Sequence, residues 1–251
     1  MKRLMIFFLL YGFISISNAA LVSRLGGQAY YDTALNITWL TNANLAASET
    51  FGVSGIQVDG GMSWFTAHDW LNAMNSSNHL GVNNWRMPTF EPINGIAINY
   101  DYTNDGTSDY GNNIGAPDTL YEGSTANEMA YMYYTNLNGV NLYNIFGAPN
   151  TTWGLPDTEP FANLITDGNH INGQYWTGVT FGEVSLESAF DFYFDHGGQG
   201  GTQKLSTWNF VWAVSDGDIS PVPLPPAVWF LVSGLVALVG FSKRKQNILL
   251  K

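Results

Sequence analysis

The chain has 251 residues and a formal net charge of −11, with 15% aromatic residues and no cysteine. The lack of cysteine excludes disulfide bonds, thiol nucleophiles and thiolate metal sites, and the aromatic content argues against a disordered chain. All 20 acidic residues lie between Asp32 and Asp218. Between its two basic ends the chain has only three basic residues, Arg24, Arg86 and Lys204, which gives this part a net charge of −17. Such a charge argues against a nucleic-acid partner.

The N-terminal segment has the three parts of a cleavable export signal. Lys2 and Arg3 supply positive charge, and residues 4–16 form an almost unbroken apolar run. Small residues follow in Ser17-Asn18-Ala19, where a signal peptidase would cut. We therefore predict a signal peptide over residues 1–19 that is cleaved after Ala19. The alternative is an uncleaved anchor helix.

Residues 20–218 are predicted to form one α+β domain, with long loops between short strands and two helices. Residues 29–32 and 37–40 are predicted to pair as a β-hairpin. Residues 63–75 are predicted to form a helix capped by Ser63. Four apolar side chains fall on one face of that helix; they are Trp64, Ala67, Leu71 and Met74. Residues 85–89 are predicted to end a strand at a proline turn.

A long polar loop is predicted at residues 94–117, and it contains the spacing of a calcium loop. EF-hand-type loops place oxygen ligands at positions 1, 3, 5 and 9, with glycine at position 6. The matching residues are Asp101, Thr103, Asp105, Gly106 and Asp109. Asn112 stands at position 12, where the motif needs a bidentate carboxylate, and no helix pattern flanks the loop. The motif predicts a Ca²⁺ site, and a solvated acidic turn is the alternative.

The second half of the domain is predicted to contain one more helix and three strands. Ser124 is the predicted cap of the helix, whose inward side chains are Met129, Met132, Tyr133 and Leu137. Residues 139–173 are predicted to be irregular, and Trp153 in this stretch is a weak candidate for stacking on a sugar. The predicted strands, all rich in aromatic residues, cover residues 175–181, 189–194 and 208–214.

The remaining side chains point to structure and not to catalysis. Five tryptophans are predicted to pack in the core; they are Trp39, Trp64, Trp85, Trp176 and Trp212. Arg86 is predicted to pair with a buried carboxylate or with main-chain carbonyls. The four histidines lack zinc-site spacing; they are His68, His79, His170 and His196. Because any carboxylate pair chosen from 20 would be arbitrary, no catalytic residue is predicted and the chain is predicted not to be an enzyme.

The C-terminal end has three parts, which are a proline-rich segment (219–226), an apolar stretch (227–241) and a basic tail (242–251). A fifteen-residue helix spans roughly 22 Å, short of the ~30 Å hydrocarbon core of a bilayer. Adding Val222 to Pro226 brings the stretch to about twenty residues, which is just enough to cross. The basic tail would stay cytoplasmic and leave the domain outside. An ordinary single-pass anchor is the alternative.

This block resembles the PEP-CTERM class of sorting signals in its Val-Pro-Leu-Pro-Ala variant. The residues that carry the resemblance are Val222, Pro223, Leu224 and Pro225, followed by the apolar stretch and by Lys243, Arg244 and Lys245. Pro226 departs from the usual alanine. The resemblance implies an exosortase-like membrane transpeptidase as partner. It also implies an intermediate anchored in the inner membrane before delivery to the outer envelope or the extracellular matrix.

The domain resembles the Lcl C-terminal domain family over roughly residues 25–218. The stretches that carry the resemblance are 29–32, 37–40, Met62-Ser63-Trp64, Asn84 to Thr89, Asn127 to Ala130, Tyr133-Tyr134, Tyr175 to Gly178 and Trp212-Ala213-Val214. Ser215 departs from the arginine that is often found there. The resemblance implies a C-type-lectin-like fold with two helices, short twisted antiparallel strands and long loops. It supplies no catalytic set.

These observations predict an exported, non-catalytic binding or structural module of the envelope or matrix. The alternative is a Ca²⁺-dependent, lectin-like receptor for an extracellular glycan or a protein. The third hypothesis is an enzyme that acts on polysaccharides. Formylglycine-generating enzymes also share a lectin-like fold, but they depend on cysteines, which this chain lacks.

Overall fold

The computed structural model describes residues 21–166, 173–182 and 187–219. These residues form two five-stranded sheets and two α-helices, which confirms the predicted α+β class. Within these ranges, no helix has both the length and the apolar character that a membrane span requires. The predicted signal peptide, the proline-rich motif from Pro221 onward, the apolar stretch, the basic tail and His170 lie outside the described residues.

Most elements are short, and long connections join them. In chain order they are β1 (Leu21–Arg24), β2 (Ala29–Asp32), β3 (Ile37–Leu40), α1 (Trp64–Ser76), β4 (Trp85–Arg86), β5 (Tyr102–Thr103), β6 (Tyr110–Gly111), α2 (Glu128–Tyr131), β7 (Gln174–Thr180), β8 (Ser188–Tyr193), β9 (Gln199–Gln203) and β10 (Val214–Asp216). A π-helical turn, Met132–Asn136, continues α2.

The first sheet has the order β1-β2-β3-β10-β4, and its neighbouring strands are antiparallel. Its β2–β3 hairpin confirms the predicted one, residue for residue. The buried Asp32 holds the turn, because its Oδ1 accepts hydrogen bonds from the amides of Ala34 and Leu35. β1, which the sequence analysis did not predict, extends the sheet at its edge.

The second sheet has the order β5-β6-β9-β8-β7, and only β5 and β6 pair in parallel. β7 and β8 confirm two of the predicted strands to within one residue at each end. β9 was not predicted, because glycine disfavours strands. Packing requires its glycines: a Cβ on Gly200 would lie 2.4 Å from the Tyr193 hydroxyl, and one on Gly201 would lie 2.8 Å from the Phe181 ring.

The first helix matches its prediction, and the second begins later than predicted. Ser63 caps α1 by accepting a hydrogen bond from the Thr66 amide, as predicted. The predicted cap of the second helix, Ser124, is wrong. Asn127 takes this role, since its side chain accepts from the Ala130 amide. The Ser124 hydroxyl instead accepts from Ala126 in a preceding turn.

The predicted strand over residues 208–214 is also wrong over most of its length. Only Val214 of this range joins a ladder, in β10. Asn209 and Phe210 make isolated bridges to Met62 and Tyr175 instead. The mostly apolar and aromatic composition of this segment reflects burial between elements. A buried run of this kind cannot be distinguished from a strand by sequence pattern alone.

Trp212 packs between the two sheets and joins their cores. Its ring lies 4.7 Å from that of Trp39 in the first sheet and 5.5 Å from Phe194, which follows β8. Its indole N–H donates to the Leu40 carbonyl at 2.7 Å. The predicted core role is confirmed for Trp39, Trp85, Trp176 and Trp212, which are buried, and Trp64 packs against the core from a half-buried position.

Candidate functional site

A concave site of about 380 Å³ lies between two of the long loops. We call it the loop pocket. Its lining is amide-rich and apolar and includes a single charged side chain, that of Asp118. The lining residues are Asn113, Ala116, Pro117, Asp118, Tyr134, Gly139, Val140, Asn141, Asn144, Ile145, Phe146 and Asn150.

Asparagine side chains hold the walls of the loop pocket in place. The Asn113 Nδ2 donates to the carbonyls of Asn104 and Tyr143 and so joins the two loops. The Asn150 Nδ2 donates to the Asn141 carbonyl at 2.8 Å. Asn144 Oδ1 accepts from the amides of Phe146 and Ala148 and forms the turn that carries Phe146. The turn is therefore fixed by its own side-chain hydrogen bonds.

Tyr134 forms the inner end of the loop pocket and stays neutral. Its hydroxyl donates to the Gly197 carbonyl at 2.6 Å and accepts from Asn141 Nδ2 at 2.8 Å. Burial raises the pKa of Tyr134 well above its ordinary value. Neither partner is a titratable group, so the inner wall offers a ligand fixed dipoles and not a charge.

Exposed apolar side chains border the loop pocket. Phe146 is 88% exposed and Val140 is also exposed. Trp153, the sugar-stacking candidate, is 50% exposed. It lies beside the rim, because the next residue, Gly154, bridges to Val140. Large apolar side chains that border a concavity are typical of binding surfaces.

The predicted calcium residues share one loop, but three of them, Thr103, Asp105 and Asp109, already have hydrogen-bond partners for their side-chain oxygens. Asp109 is buried; its Oδ1 accepts from the Ile93 amide at 2.7 Å and its Oδ2 accepts from the Asn99 amide at 2.9 Å. Burial raises the pKa of Asp109, against these two hydrogen bonds. The Thr103 hydroxyl lies 2.8 Å from that of Ser108.

The other two predicted ligands are exposed at the loop surface. Asp105 Oδ1 accepts from the Thr107 hydroxyl and amide, and the hydroxyl hydrogen bond in particular lowers the pKa of Asp105. Asp101 is exposed. A Ca²⁺ ion bound by all four residues would therefore require Asp109 to exchange its amide partners for the metal. The calcium site stays a prediction.

The described histidines lie apart from one another. Burial lowers the pKa of both His68 and His79. The His196 Nδ1 lies 2.7 Å from Asp195 Oδ1 in an adjacent pair. Across the described ranges, no group of three or more histidine or acidic side chains is placed to hold a metal ion.

All three bases of the domain contact other side chains. Arg86 donates to both oxygens of Glu128 and to Asp216, which confirms its predicted pairing with a carboxylate. Burial alone would lower the pKa of Arg86, but these carboxylates raise it above its ordinary value. Arg24 pairs with Asp218, and the Lys204 ammonium lies 5.1 Å from the centroid of the Trp64 ring.

A second concavity, of about 630 Å³, lies against the second sheet. We call it the Trp208 groove. It is lined by Gln174, Gly201, Thr202, Gln203, Leu205, Ser206, Thr207 and Trp208. Thr202 reaches from it to the fully buried Asp191, whose Oδ2 accepts from the Thr202 hydroxyl and from Asn209 Nδ2, both at 2.8 Å. Burial raises the pKa of Asp191 to about 6.

Sequence reasoning identified neither concavity. The loop pocket is built mainly from two loop stretches that follow no helical or strand period, and the Trp208 groove combines β9, which was not predicted, with the segment after it and with Gln174 of β7. The available signal was local: Phe146 follows Asn144 in an Asn-x-Phe-Gly turn, where a large apolar residue has no element to bury it. The regular spacing of Asp101, Asp105 and Asp109 is visible in the sequence, but spacing along the chain does not show whether their side-chain oxygens converge on one point.

Comparison with known proteins gives a family but no individual relative. No curated protein and no solved structure matches the chain. A family model described as the Lcl C-terminal domain matches residues 28–215, which include every element from β2 to β9 and the start of β10. The match covers the second sheet, the first sheet apart from β1 and the end of β10, the loop pocket and the Trp208 groove. The chain belongs to the Lcl C-terminal domain family.

Proposed function

We propose that the chain is an exported surface protein whose Lcl C-terminal domain binds a ligand in the loop pocket without catalysis. The observation that carries the proposal is the pocket itself: a concavity of about 380 Å³ with a fixed amide wall and an 88% exposed phenylalanine at its border. Few polar groups in an apolar concavity are the usual composition of a binding site.

The ligand we propose is a neutral extracellular glycan. A sugar ring offers an apolar face to side chains such as Phe146 and Trp153, and its hydroxyls can both donate and accept at an asparagine wall. A polyanionic ligand is a poorer fit, because Arg24, Arg86 and Lys204 all contact other side chains. Asp118 at the pocket would also repel a polyanion.

The export route is part of the same proposal. The signal pattern of residues 1–19 would take the chain across the inner membrane, and residues 227–241 would hold it there. An exosortase-like transpeptidase would then process the Val222–Pro225 motif and deliver the domain to the outer envelope or matrix. We also propose that the domain has a C-type-lectin-like fold, which its short antiparallel strands and long loops support.

A second candidate function is the Ca²⁺-dependent receptor. It is favoured by one contact: Asn113, which lines the loop pocket, is held by the Asn104 carbonyl inside the candidate calcium loop. A cation in that loop would therefore alter the wall of the pocket. Ligand binding would then be lost in chelator and in the variant Asp105→Ala.

The test is binding of the full-length chain, in mild detergent, to an array of neutral and charged glycans. We expect binding to neutral glycans, and a loss of at least about tenfold in affinity for Phe146→Ala, since the truncation removes an aromatic contact. Trp153→Ala should weaken binding less. Ile96→Ala is the matched control, because Ile96 is 87% exposed but does not line the pocket.

Three outcomes would contradict the proposal. They are an array on which nothing binds, a Phe146→Ala variant that binds like the Ile96→Ala control, and turnover of a bound polysaccharide. Binding that is abolished by chelator would favour the second candidate over the first.

A further inference from the structure

Asp191 is a buried carboxylate with an incomplete set of partners. It lies near the centre of β8 and is fully buried. Both of its hydrogen bonds go to Oδ2, whereas Oδ1 is buried without a partner. The ion pairs of the described residues do not include it. A buried carboxylate in this state is costly unless something neutralises it or donates to it.

Three further oxygens, on two residues of the Trp208 groove and on Asn209, which contacts Asp191, are buried without a partner. They are Gln174 Oε1, Ser206 Oγ and Asn209 Oδ1. Gln174 is 7% exposed and Asn209 is fully buried. In the part of the chain that the structure describes, six buried side-chain atoms lack a partner, and four of them belong to this cluster. The concentration argues for a common cause and not for scattered imperfections.

Strand pairing, a main-chain hydrogen bond and the shared groove connect these residues. Gln174 pairs with Tyr193 across β7 and β8, so it lies on the same face of the sheet as Asp191, two residues along. The Phe210 amide donates to the Gln174 carbonyl, which places Asn209 beside Gln174. Gln174 and Ser206 both line the Trp208 groove, together with the Thr202 that contacts Asp191.

The unpartnered atoms of this cluster are hydrogen-bond acceptors with almost no donors among them. A carboxylate oxygen and two amide oxygens can only accept, and the serine hydroxyl can accept as well as donate. The Asn209 amide is not free to reverse, because its Nδ2 already donates to Asp191 Oδ2 and reversal would place two oxygens together. What completes the cluster must therefore bring positive charge or hydrogen-bond donors.

We propose that the oxygens of Asp191, Gln174, Ser206 and Asn209 bind a hard metal cation. Oxygen-only ligand sets with carboxylate, amide and hydroxyl groups are typical of Ca²⁺ and of the alkali cations, and they disfavour softer metals. A single carboxylate balances one positive charge, so both Ca²⁺ and a monovalent cation have to be tested. This site differs in every residue from the Asp101–Asp109 loop.

The bound cation would fasten the 204–210 segment to the second sheet. Asn209 and Ser206 come from this segment, and Asp191 and Gln174 come from β8 and β7. The same segment carries Leu205 and Trp208, which form the exposed side of the Trp208 groove. The cation would thus set the shape of the groove as well as stabilise the domain.

The test measures the metal content and the thermal stability of the full-length chain in detergent. Elemental analysis follows purification in buffers that contain only the cation under test. Melting temperatures are compared with and without chelator, in CaCl₂, and in NaCl or KCl against choline chloride. We expect one cation to be retained or to raise the melting temperature saturably, and Asp191→Asn to weaken its apparent affinity by about tenfold or more.

Asp191→Asn keeps the shape of the side chain and adds an N–H donor among acceptors, so the variant should fold. Ser206→Ala is a second, milder variant that should weaken the cation response, and Asp105→Ala should leave it intact. A wild-type protein that holds no metal and responds to none of the cations overturns the proposal. A response lost in Asp105→Ala but kept in Asp191→Asn also overturns it and assigns the cation to the loop.

Discussion

At the residue scale, Arg86 connects three elements that are distant in sequence. It lies on β4, and it donates to Glu128 at the start of α2 and to Asp216 on β10. Glu128 also accepts from the Thr89 amide, so its carboxylate is held on both sides. A two-oxygen contact between guanidinium and carboxylate is stronger and more directional than a single ion pair.

We predict that Arg86→Met lowers the free energy of unfolding by about 2–3 kcal/mol, because it leaves the nearly buried Glu128 without its cation. The partial exposure of the guanidinium keeps the expected loss below that of a fully buried pair. Urea denaturation measures it. Combining the change with Glu128→Gln should recover part of the loss, since the two residues form one interaction.

Arg24→Met is the matched control, because Arg24 also binds a carboxylate but lies at the edge of the first sheet with Asp218. Its effect should be much smaller. If Arg86→Met and Arg24→Met shift the urea midpoint equally, the Arg86 network does not join the elements as described.

At the element scale, the short strands β5 and β6 depend on a glycine. Gly111 has a φ of 127°, and a Cβ on it would lie 2.1 Å from the Thr103 carbonyl oxygen of the neighbouring strand. That oxygen accepts from the Asn112 amide at 2.8 Å. The close approach of the two backbones is therefore possible only without a side chain.

We predict that Gly111→Ala costs about 2–4 kcal/mol of unfolding free energy, since it adds a clash with backbone to an unfavourable φ. Gly123→Ala is the control: Gly123 has a φ of 69° and open space around its Cβ position. It should cost about 1 kcal/mol, from the backbone conformation alone. Equal losses in urea denaturation would show that steric contact at Gly111 is unimportant.

The elements that the sequence predicted well are those with a complete local signal. α1 has a serine cap and an apolar face of helical period, and the β2–β3 hairpin has two short runs of strand-forming residues around the turn at residues 33–36. The failures have tertiary causes. β9 contains glycines because the Tyr193 and Phe181 side chains occupy the space that a Cβ would need, and residues 210–213 are apolar because they pack in the core between elements.

The two concavities could not be predicted from the sequence for the same reason, which is that tertiary contacts form them. The loop pocket depends on hydrogen bonds from Asn113, Asn141 and Asn150 to main-chain or hydroxyl groups that no periodic pattern marks. The cluster around Asp191 depends on strand register. In the sequence, Asp191 stands four residues from both Glu187 and Asp195, but this helical spacing has no meaning in a strand such as β8.

At the scale of the whole molecule, charge and composition divide the chain into functional parts. The domain holds 20 acidic and three basic residues, and all of the remaining bases lie in the first three residues or from Lys243 onward. This placement of the basic residues is the one that the proposed export signal and membrane anchor require. The domain between them carries a net charge of −17, which favours solubility and disfavours polyanionic partners.

This division predicts two cleavages, which intact-mass and peptide mass spectrometry of the protein from its native envelope would detect. The mature N-terminus should be Ala20, and the C-terminus should lie near the Val222–Pro225 motif, without the basic tail. Replacing Lys243, Arg244 and Lys245 with glutamine removes the charges that, in the proposed topology, would hold the tail in the cytoplasm. The variant should remain unprocessed or be mislocalised. Replacing Lys204, a base inside the domain, with glutamine is the control and should leave processing unchanged. A triple variant of normal size at the normal location would contradict the sorting proposal while leaving ligand binding by the domain open to its own test.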